Sequence, residues 1–475
     1  MNKNGFNMEY EENYDEAPSI WQTRRYVVAV LAFFGFFVSY ILRVNLSIAI
    51  VQMTSNTTII HSDGSVHYGS EFDWDYKVQG LILSSFFYGY MCTQLLGGWL
   101  ASRIGGKRVF GFGIAVTSFF TIISPPITRW SVYLLILARV IEGICEGVTY
   151  PSIHAMWANW APPLERSKLA TFAFSGSFVG TVFAMFICGF MIEQFGWPSV
   201  FYVFGVLGLL WYVCWIIFVS DRPEDDPFIS KSELRYLRRT LGPSSEDQKI
   251  PHPWKAMFLS PAVWAIVLAH FSENWGFYTM LTQLPTFMNA GIFMALPYAV
   301  MAITLQISGH LADHLRSKKI LTTTQVRKLF NCGAFLSQTI FMACTAYILT
   351  PVGAITCITV AVGLGGFAWS GFAPNPLDIA PKHASIVMGI SNTFATLPGI
   401  ISPVITGYII QNKTSNEWAT VFFIASAVYL IGAIGYGIFA SGEVQTWAKA
   451  TEEETEMNLD DLETAEMIYN TDEKN

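Results

Sequence analysis

Twelve long apolar blocks divide the chain and leave little choice of fold. They lie at about 26–50, 79–101, 108–128, 131–158, 169–193, 198–219, 262–288, 291–311, 327–349, 351–373, 385–410 and 418–440. Each can cross a hydrocarbon core of about 30 Å with some 20 helical residues. Only helices and closed barrels satisfy the backbone in lipid, and barrel strands alternate polar and apolar residues over about ten positions. These runs do not alternate, so the sequence predicts an all-α membrane protein with twelve transmembrane helices. Only 13% of the 475 residues are charged, against roughly 25% in soluble chains. A disordered chain, a coiled coil and an ordinary cytosolic enzyme are excluded.

The longest internal connection, 220–261, is polar and falls between blocks six and seven. It predicts two six-helix halves, at 26–219 and 262–440, flanked by tails at 1–25 and 441–475. Of the 28 Lys and Arg residues, Arg43 and Arg139 lie within helices and only Lys77, Arg129 and Lys413 fall opposite the termini. By the positive-inside rule both termini are cytoplasmic. The sequons at Asn56 and Asn412 then face the lumen as glycosylation sites, while that at Asn45 sits inside a helix. The tail after Thr451 is strongly acidic and reads as solvated chain. The acidic segment Glu9–Glu16 and the long first block predict no cleavable signal peptide. The 7 cysteines are scattered and form no CxxC pair, so no metal site is expected.

An internal repeat supports the two halves. Gly98-Trp-Leu-Ala-Ser102-Arg103-Ile-Gly105-Gly106-Lys107-Arg108 follows helix two, and Gly309-His-Leu-Ala-Asp313-His-Leu315-Arg316-Ser-Lys318-Lys319 follows helix eight. Both are small-residue helix ends running into a basic turn. A 6+6 plan with this turn resembles the major facilitator superfamily, whose pattern is G-x-x-x-D-R-x-G-R-R. The resemblance implies conformational gating by Arg103 and Asp313, with Ser102 standing where the first copy would carry its acid. Further runs carry a narrower likeness: Arg43-Val-Asn45-Leu-Ser, Ser85-Phe-Phe-Tyr88-Gly-Tyr, Arg139-Val-Ile-Glu142-Gly-Ile-Cys-Glu146-Gly-Val-Thr-Tyr-Pro, His154-Ala-Met-Trp and Trp160-Ala-Pro-Pro-Leu-Glu165-Arg166-Ser-Lys. They resemble the organic and inorganic anion transporter family of sialin, the vesicular glutamate transporters and the phosphate cotransporters. Within it the chain looks most similar to the sialin branch, proton-coupled lysosomal exporters of sialic acid and acidic sugars. The glutamate transporters look to carry an arginine at Glu273 and a histidine at Leu83, and both departures argue for a sialin-like or phosphate-like member.

Ionisable groups deep in a bilayer cost about 2.5–3.5 kcal/mol each on insertion scales, so they are functional candidates. Arg43, well inside helix one with Tyr40 on its face, can grip a carboxylate through two parallel hydrogen bonds. It is the expected substrate anchor. On helix four, Arg139, Glu142 and Glu146 project within about 60° of one another, and His154 extends the same broad face. One arginine cannot pair both carboxylates, so one is expected free to titrate, with His154 titrating in the same window. The resemblance favours Glu142 and Glu146 as proton carriers, and Glu273 in helix seven is expected either as a third proton site or as a hydrogen-bond partner at the luminal end. Tyr88, Tyr278, Ser391 and Asn392 are expected as neutral substrate contacts suited to a polyol.

The expected function is a proton-coupled symporter of organic anions, sialic acid and acidic sugars foremost, leaving lysosomes. The alternatives are a sodium-dependent phosphate cotransporter and a vesicular glutamate or aspartate transporter. No clustered nucleophile and base, metal set or Walker sequence suggests an enzyme or an ATP-driven pump. No cofactor is expected beyond the coupling ion, H+ or, in the alternative, Na+. The expected partners are a small organic anion and membrane lipid, with no nucleic acid, for a monomer in a lysosomal or secretory-vesicle membrane.

Overall fold

The computed structural model describes residues 23–55, 57–60, 66–74, 76–241, 252–288, 295–348, 350–410 and 414–449. Seventeen α-helices and one short hairpin make up these residues. The first half comprises α1 (Arg24–Thr54), α2 (Tyr76–Ile104), α3 (Gly106–Trp130), α4 (Val132–Glu146), α5 (Thr149–Trp160), α6 (Arg166–Phe195) and α7 (Pro198–Phe218). Two short helices, α8 (Lys231–Leu241) and α9 (Trp254–Leu259), lie in the connection. The second half comprises α10 (Pro261–Met288), α11 (Leu296–Ser317), α12 (Thr323–Tyr347), α13 (Pro351–Gly365), α14 (Ala368–Gly371), α15 (Asn375–Ile379), α16 (Ala384–Ile409) and α17 (Ser415–Phe439). The twelve expected spans are all present, the fourth as α4 with α5 and the tenth as α13 with α14. Strands β1 (Thr57–Ile60) and β2 (Val66–Gly69) pair antiparallel between α1 and α2.

Among the described residues, eight segments are long and apolar enough to qualify as membrane spans on composition alone. The spans that fall short are α2, the split α4–α5, α10 and α11. The last three carry ionisable residues of interest: Arg139, Glu142 and Glu146, then Glu273, then Asp313.

The break in the fourth span has a local cause. Pro151 has no N–H to give the carbonyl four residues back, that of Gly147, so the helical ladder loses a bond there. Gly147 and Val148 form a turn in the right-handed helical region, and α5 begins at Thr149. In the tenth span Gly365 and Gly366, then Pro374 and Pro376, shorten α13–α15 in the same way.

Small residues set the helix spacing. A Cβ at Gly143 of α4 would strike the backbone carbonyl of Phe86 in α2, and one at Gly89 would strike that of Val140. The two backbones touch here, as small residues permit in membrane bundles. The ends of the described chain, the connection and the basic turns share one face, called here the termini face. There Arg25 is buried and bonds Glu165 and Glu233, while Arg24 bonds Asp226. Burial pushes the Glu165 carboxyl up, but Arg25 and Lys168 outweigh it and hold the group below the usual range. This clasp ties α1 to α8.

Gly143→Val should destabilise the protein by about 1–3 kcal/mol, the usual cost of overpacking against atoms that cannot yield. Gly189→Val, at a position with open space around it, should be near neutral. Thermal unfolding of the purified protein in detergent compares the two.

Candidate functional site

Arg43 lies 9% exposed near the middle of α1, wrapped by aromatic rings. Its guanidinium carbon sits 4.6 Å from the Tyr40 ring centroid, 4.9 Å from Phe86 and 4.7 Å from Tyr90. These faces favour a cation over water's departure. Arg43 Nε and Nη2 donate to Glu146 Oε1 at 3.1 and 2.6 Å. Arg43 Nη1 and Glu146 Oε2 have no protein partner.

A second pair stands one helical turn away. Arg139 Nη1 donates to Glu142 Oε2 at 2.7 Å, and Thr121 Oγ1 donates to Glu142 Oε1 at 3.0 Å. Arg139 Nη2 reaches the Arg43 carbonyl at 3.5 Å, and the Phe86 ring lies between the two arginines. The expectation of a carboxylate left without a cation is therefore corrected. The sequence argument counted only the arginine on helix four. Helix one supplies the second, and both carboxylates are paired.

His154 is also not part of this face. It lies on α5, beyond the turn at Gly147 and Val148, and the imidazole bonds the Tyr150 carbonyl and, across the two halves, the Ala373 carbonyl, each at 2.9 Å. Its ring stacks on Phe174.

A narrow central cavity opens beside Arg43. The first half lines it with Tyr40, Tyr90, Tyr150 and Phe178. The second half adds His270, Asn274, Phe277, Tyr278, Trp369 and Asn392. Tyr40 and Tyr150 share a hydrogen bond of 3.2 Å between their hydroxyls. Of the expected neutral contacts, Tyr278 and Asn392 line this cavity. Ser391 stands behind it, 2.9 Å from Nδ1 of the lining His270. Asn392 spans the halves, donating to Tyr90 OH and Gln94 Oε1. Tyr88 is corrected: it is 44% exposed on the outer side of α2, and Tyr90, two residues on, lines the cavity instead. The local sequence offers Tyr-Gly-Tyr, and only the helix's rotation decides between them. Glu273 lies buried in the second half against Gln338 and Trp369, outside the Arg43 cluster.

At the termini face the halves are bonded together. Asp313 of α11 accepts from the backbone N–H groups of Ser167 and Lys168 at 3.3 and 2.7 Å. It thus caps the N-terminus of α6 across the interface, where Glu165 makes no side-chain cap. Arg327, read from sequence as one of the basic residues marking the cytoplasmic side, is fully buried. It donates to Asp378 at 2.7 Å and Ser167 Oγ at 2.8 Å. Arg166 and Arg316 each lie 3.6 Å from the same Asp378, and Arg316 also donates to the Pro163 carbonyl at 2.7 Å. Arg103 is different: exposed at the end of α2, it stacks on Trp99 and enters none of the described inter-half bonds. Asn56 and Asn412 lie outside the described residues, as does the short connection around 289–291.

The Major Facilitator Superfamily model matches residues 32–403. The chain belongs to that superfamily. Vesicular glutamate transporter 3 of Danio rerio is 43% identical over 438 residues, covering 90% of this chain and 74% of the relative. Vesicular glutamate transporter 2 of Homo sapiens is 42% identical over 442 residues, covering 90% and 76%. The departures at Leu83 and Glu273 thus do not separate the chain from glutamate transporters as kin. In fold, the chain is similar to the proton:xylose symporter XylE, with a TM-score of 0.68 at 14% identity, over 90% of this chain and 98% of that one. The protein is a multi-pass membrane transporter of the superfamily, not an enzyme.

Asp313→Ala should loosen the closed termini face, because losing a helix cap costs about 0.5–2 kcal/mol. In a background with Cys92 and Cys214 replaced by serine, a cysteine probe replacing buried Ser385 should label faster from that side. The expected increase is about 2- to 30-fold. An unchanged rate would remove Asp313 from the closure.

Proposed function

We propose that the protein is a proton-coupled transporter of small carboxylate anions, in which Arg43 exchanges one anionic partner for another. The observation that carries this is the Arg43–Glu146 pair with unused capacity on both sides, Nη1 and Oε2. A substrate carboxylate approaching Arg43 meets the Glu146 charge. A proton on Glu146 removes that charge and frees the guanidinium to hold the substrate bidentately. Breaking a buried pair without replacement costs about 3–5 kcal/mol, so Glu146 gives up Arg43 only when an anion takes its place. Proton and substrate therefore enter together. Arg139–Glu142 stays paired beneath and fixes the Arg43 backbone.

The charge sum supports coupling. With Arg43, Arg139, Glu142 and Glu146 all ionised the empty site is neutral. With a monoanion and one proton it is neutral again. Both forms can be enclosed between the halves as they rock. The termini face then lies in the cytoplasm, Asp313 and Arg327 close that side, and the acidic lumen supplies protons.

The named relatives support an acidic amino acid such as glutamate as substrate, and a vesicle membrane as the location. A second reading, export of sialic acid and acidic sugars from lysosomes, is favoured by the cavity wall. Tyrosine hydroxyls and asparagine amides line it, Arg43 packs behind Tyr40 and Tyr90, and the second half adds no lysine or arginine to the described lining.

The test is uptake of labelled glutamate, sialic acid and phosphate by cells carrying the protein at their surface, at acid and neutral external pH, with and without sodium. Acid-stimulated, sodium-independent uptake of a carboxylate is expected. Arg43→Lys should lower it about 10- to 100-fold, since a charged hydrogen bond is worth about 1.5–3 kcal/mol, and Glu146→Gln should remove the acid stimulation. Sodium-dependent phosphate uptake would overturn the proposal.

A further inference from the structure

Glu273 occupies a second polar chamber that the exchange at Arg43 does not use. It lies in α10, 2% exposed, and its Oε2 has no partner. The chamber is built around it. Gln338 of α12 is 1% exposed and presents an unpartnered Oε1. Gly365, at the end of α13, lets both side chains pack against its backbone: a Cβ there would lie 2.5 Å from Gln338 Nε2 and 3.1 Å from Glu273 Oε1. Trp369 of α14 faces Glu273 with an unpartnered Nε1. Tyr429 of α17 neighbours both Glu273 and Gln338, and Tyr298 of α11 is near it.

None of these neighbours is a cation. The nearby histidine on the same helix, His270, is engaged with Ser391 of α16. Among the described residues no ion pair reaches Glu273, whereas Glu142 and Glu146 each have an arginine. An unpaired carboxylate at this depth is far costlier than the neutral acid. The neutral acid also fits its surroundings better. It adds a donor beside the orphan acceptor Gln338 Oε1 and keeps an acceptor for the orphan donor Trp369 Nε1.

We propose that Glu273 is a proton-binding site within the second half, separate from the Arg43 site and occupied in the state described. Trp369 connects the two places, facing Glu273 on one side and lining the central cavity on the other. Losing the proton places a negative charge directly behind that wall and repels an anionic substrate. The site therefore sets an alkaline limit on transport, independently of the acid stimulation that arises at Glu146.

Infrared difference spectroscopy of the full-length protein in lipid nanodiscs, titrated from neutral to alkaline pH without substrate, tests the assignment. A protonated-carboxyl band that persists at neutral pH should vanish in Glu273→Gln and remain in Glu142→Gln and Glu146→Gln. Glutamine has the shape of the neutral acid, so this variant should fold. Uptake of labelled glutamate and sialic acid by Glu273→Gln should lose the alkaline decline seen in the parent. A band unaffected by Glu273→Gln would overturn the proposal. So would a band abolished by sodium at constant pH, which would make the chamber a sodium site. The spectroscopy needs no transported substrate, so its outcome stands apart from that of the transport reading.

Discussion

The centre of the first half is arranged around one buried ion pair. Arg43 and Glu146 come from α1 and α4, and neither could be buried alone at tolerable cost. Their burial requires the aromatic wall of Tyr40, Phe86 and Tyr90, and that wall requires α2 to lie hard against α4. The glycine contacts at Gly89 and Gly143 supply that approach. The Arg139–Glu142 pair completes the arrangement by reaching back to the Arg43 carbonyl. A pair that is costly to break and easy to re-partner is a suitable basis for coupling, because the free energy of release comes only from an incoming anion.

The halves are unequal in chemistry. The first contributes the two arginines and two carboxylates at the membrane centre. The second contributes a neutral polar wall of His270, Asn274, Tyr278 and Asn392, with Glu273 held apart behind Trp369. At the termini face the inequality reverses. The second half supplies Asp313, Arg316, Arg327 and Asp378, and the first mainly offers the N-terminus of α6 with Arg166. Ser102, in the place of an acid, bonds only the Trp99 carbonyl and His252 among its described contacts. The acid of the repeated turn thus acts across the halves in the second copy alone, while the first copy meets the second half through close backbone packing of Gly98 on Ser385.

The fold was legible because hydrocarbon imposes it. Twenty apolar residues in a row have few ways to satisfy their backbone, and the blocks and the structure's spans correspond one to one. Arg43, Glu142 and Glu146 were legible for the same reason, since charge in such a block stands out. What escaped was pairing and rotation. Nothing local says that Glu146 turns to Arg43, an element away, and not to Arg139 on its own helix. Nothing in Tyr-Gly-Tyr says that Tyr90 faces inward and Tyr88 outward. His154 was misplaced because helix four was treated as one continuous wheel, whereas α4 ends at Glu146 and α5 begins at Thr149. Asp378 and the burial of Arg327 were visible only as a lone acid and one more basic residue near a helix end.

In the proposed mechanism the substrate anion replaces Glu146 on the Arg43 guanidinium while Glu146 takes a proton, so each turnover moves no net charge. Proteoliposomes allow a pH gradient and a membrane potential to be imposed separately while uptake of a labelled monoanionic carboxylate is followed. The account predicts accumulation driven by the pH gradient alone, at a rate the potential does not change. Accumulation driven by the potential with no pH gradient would contradict it.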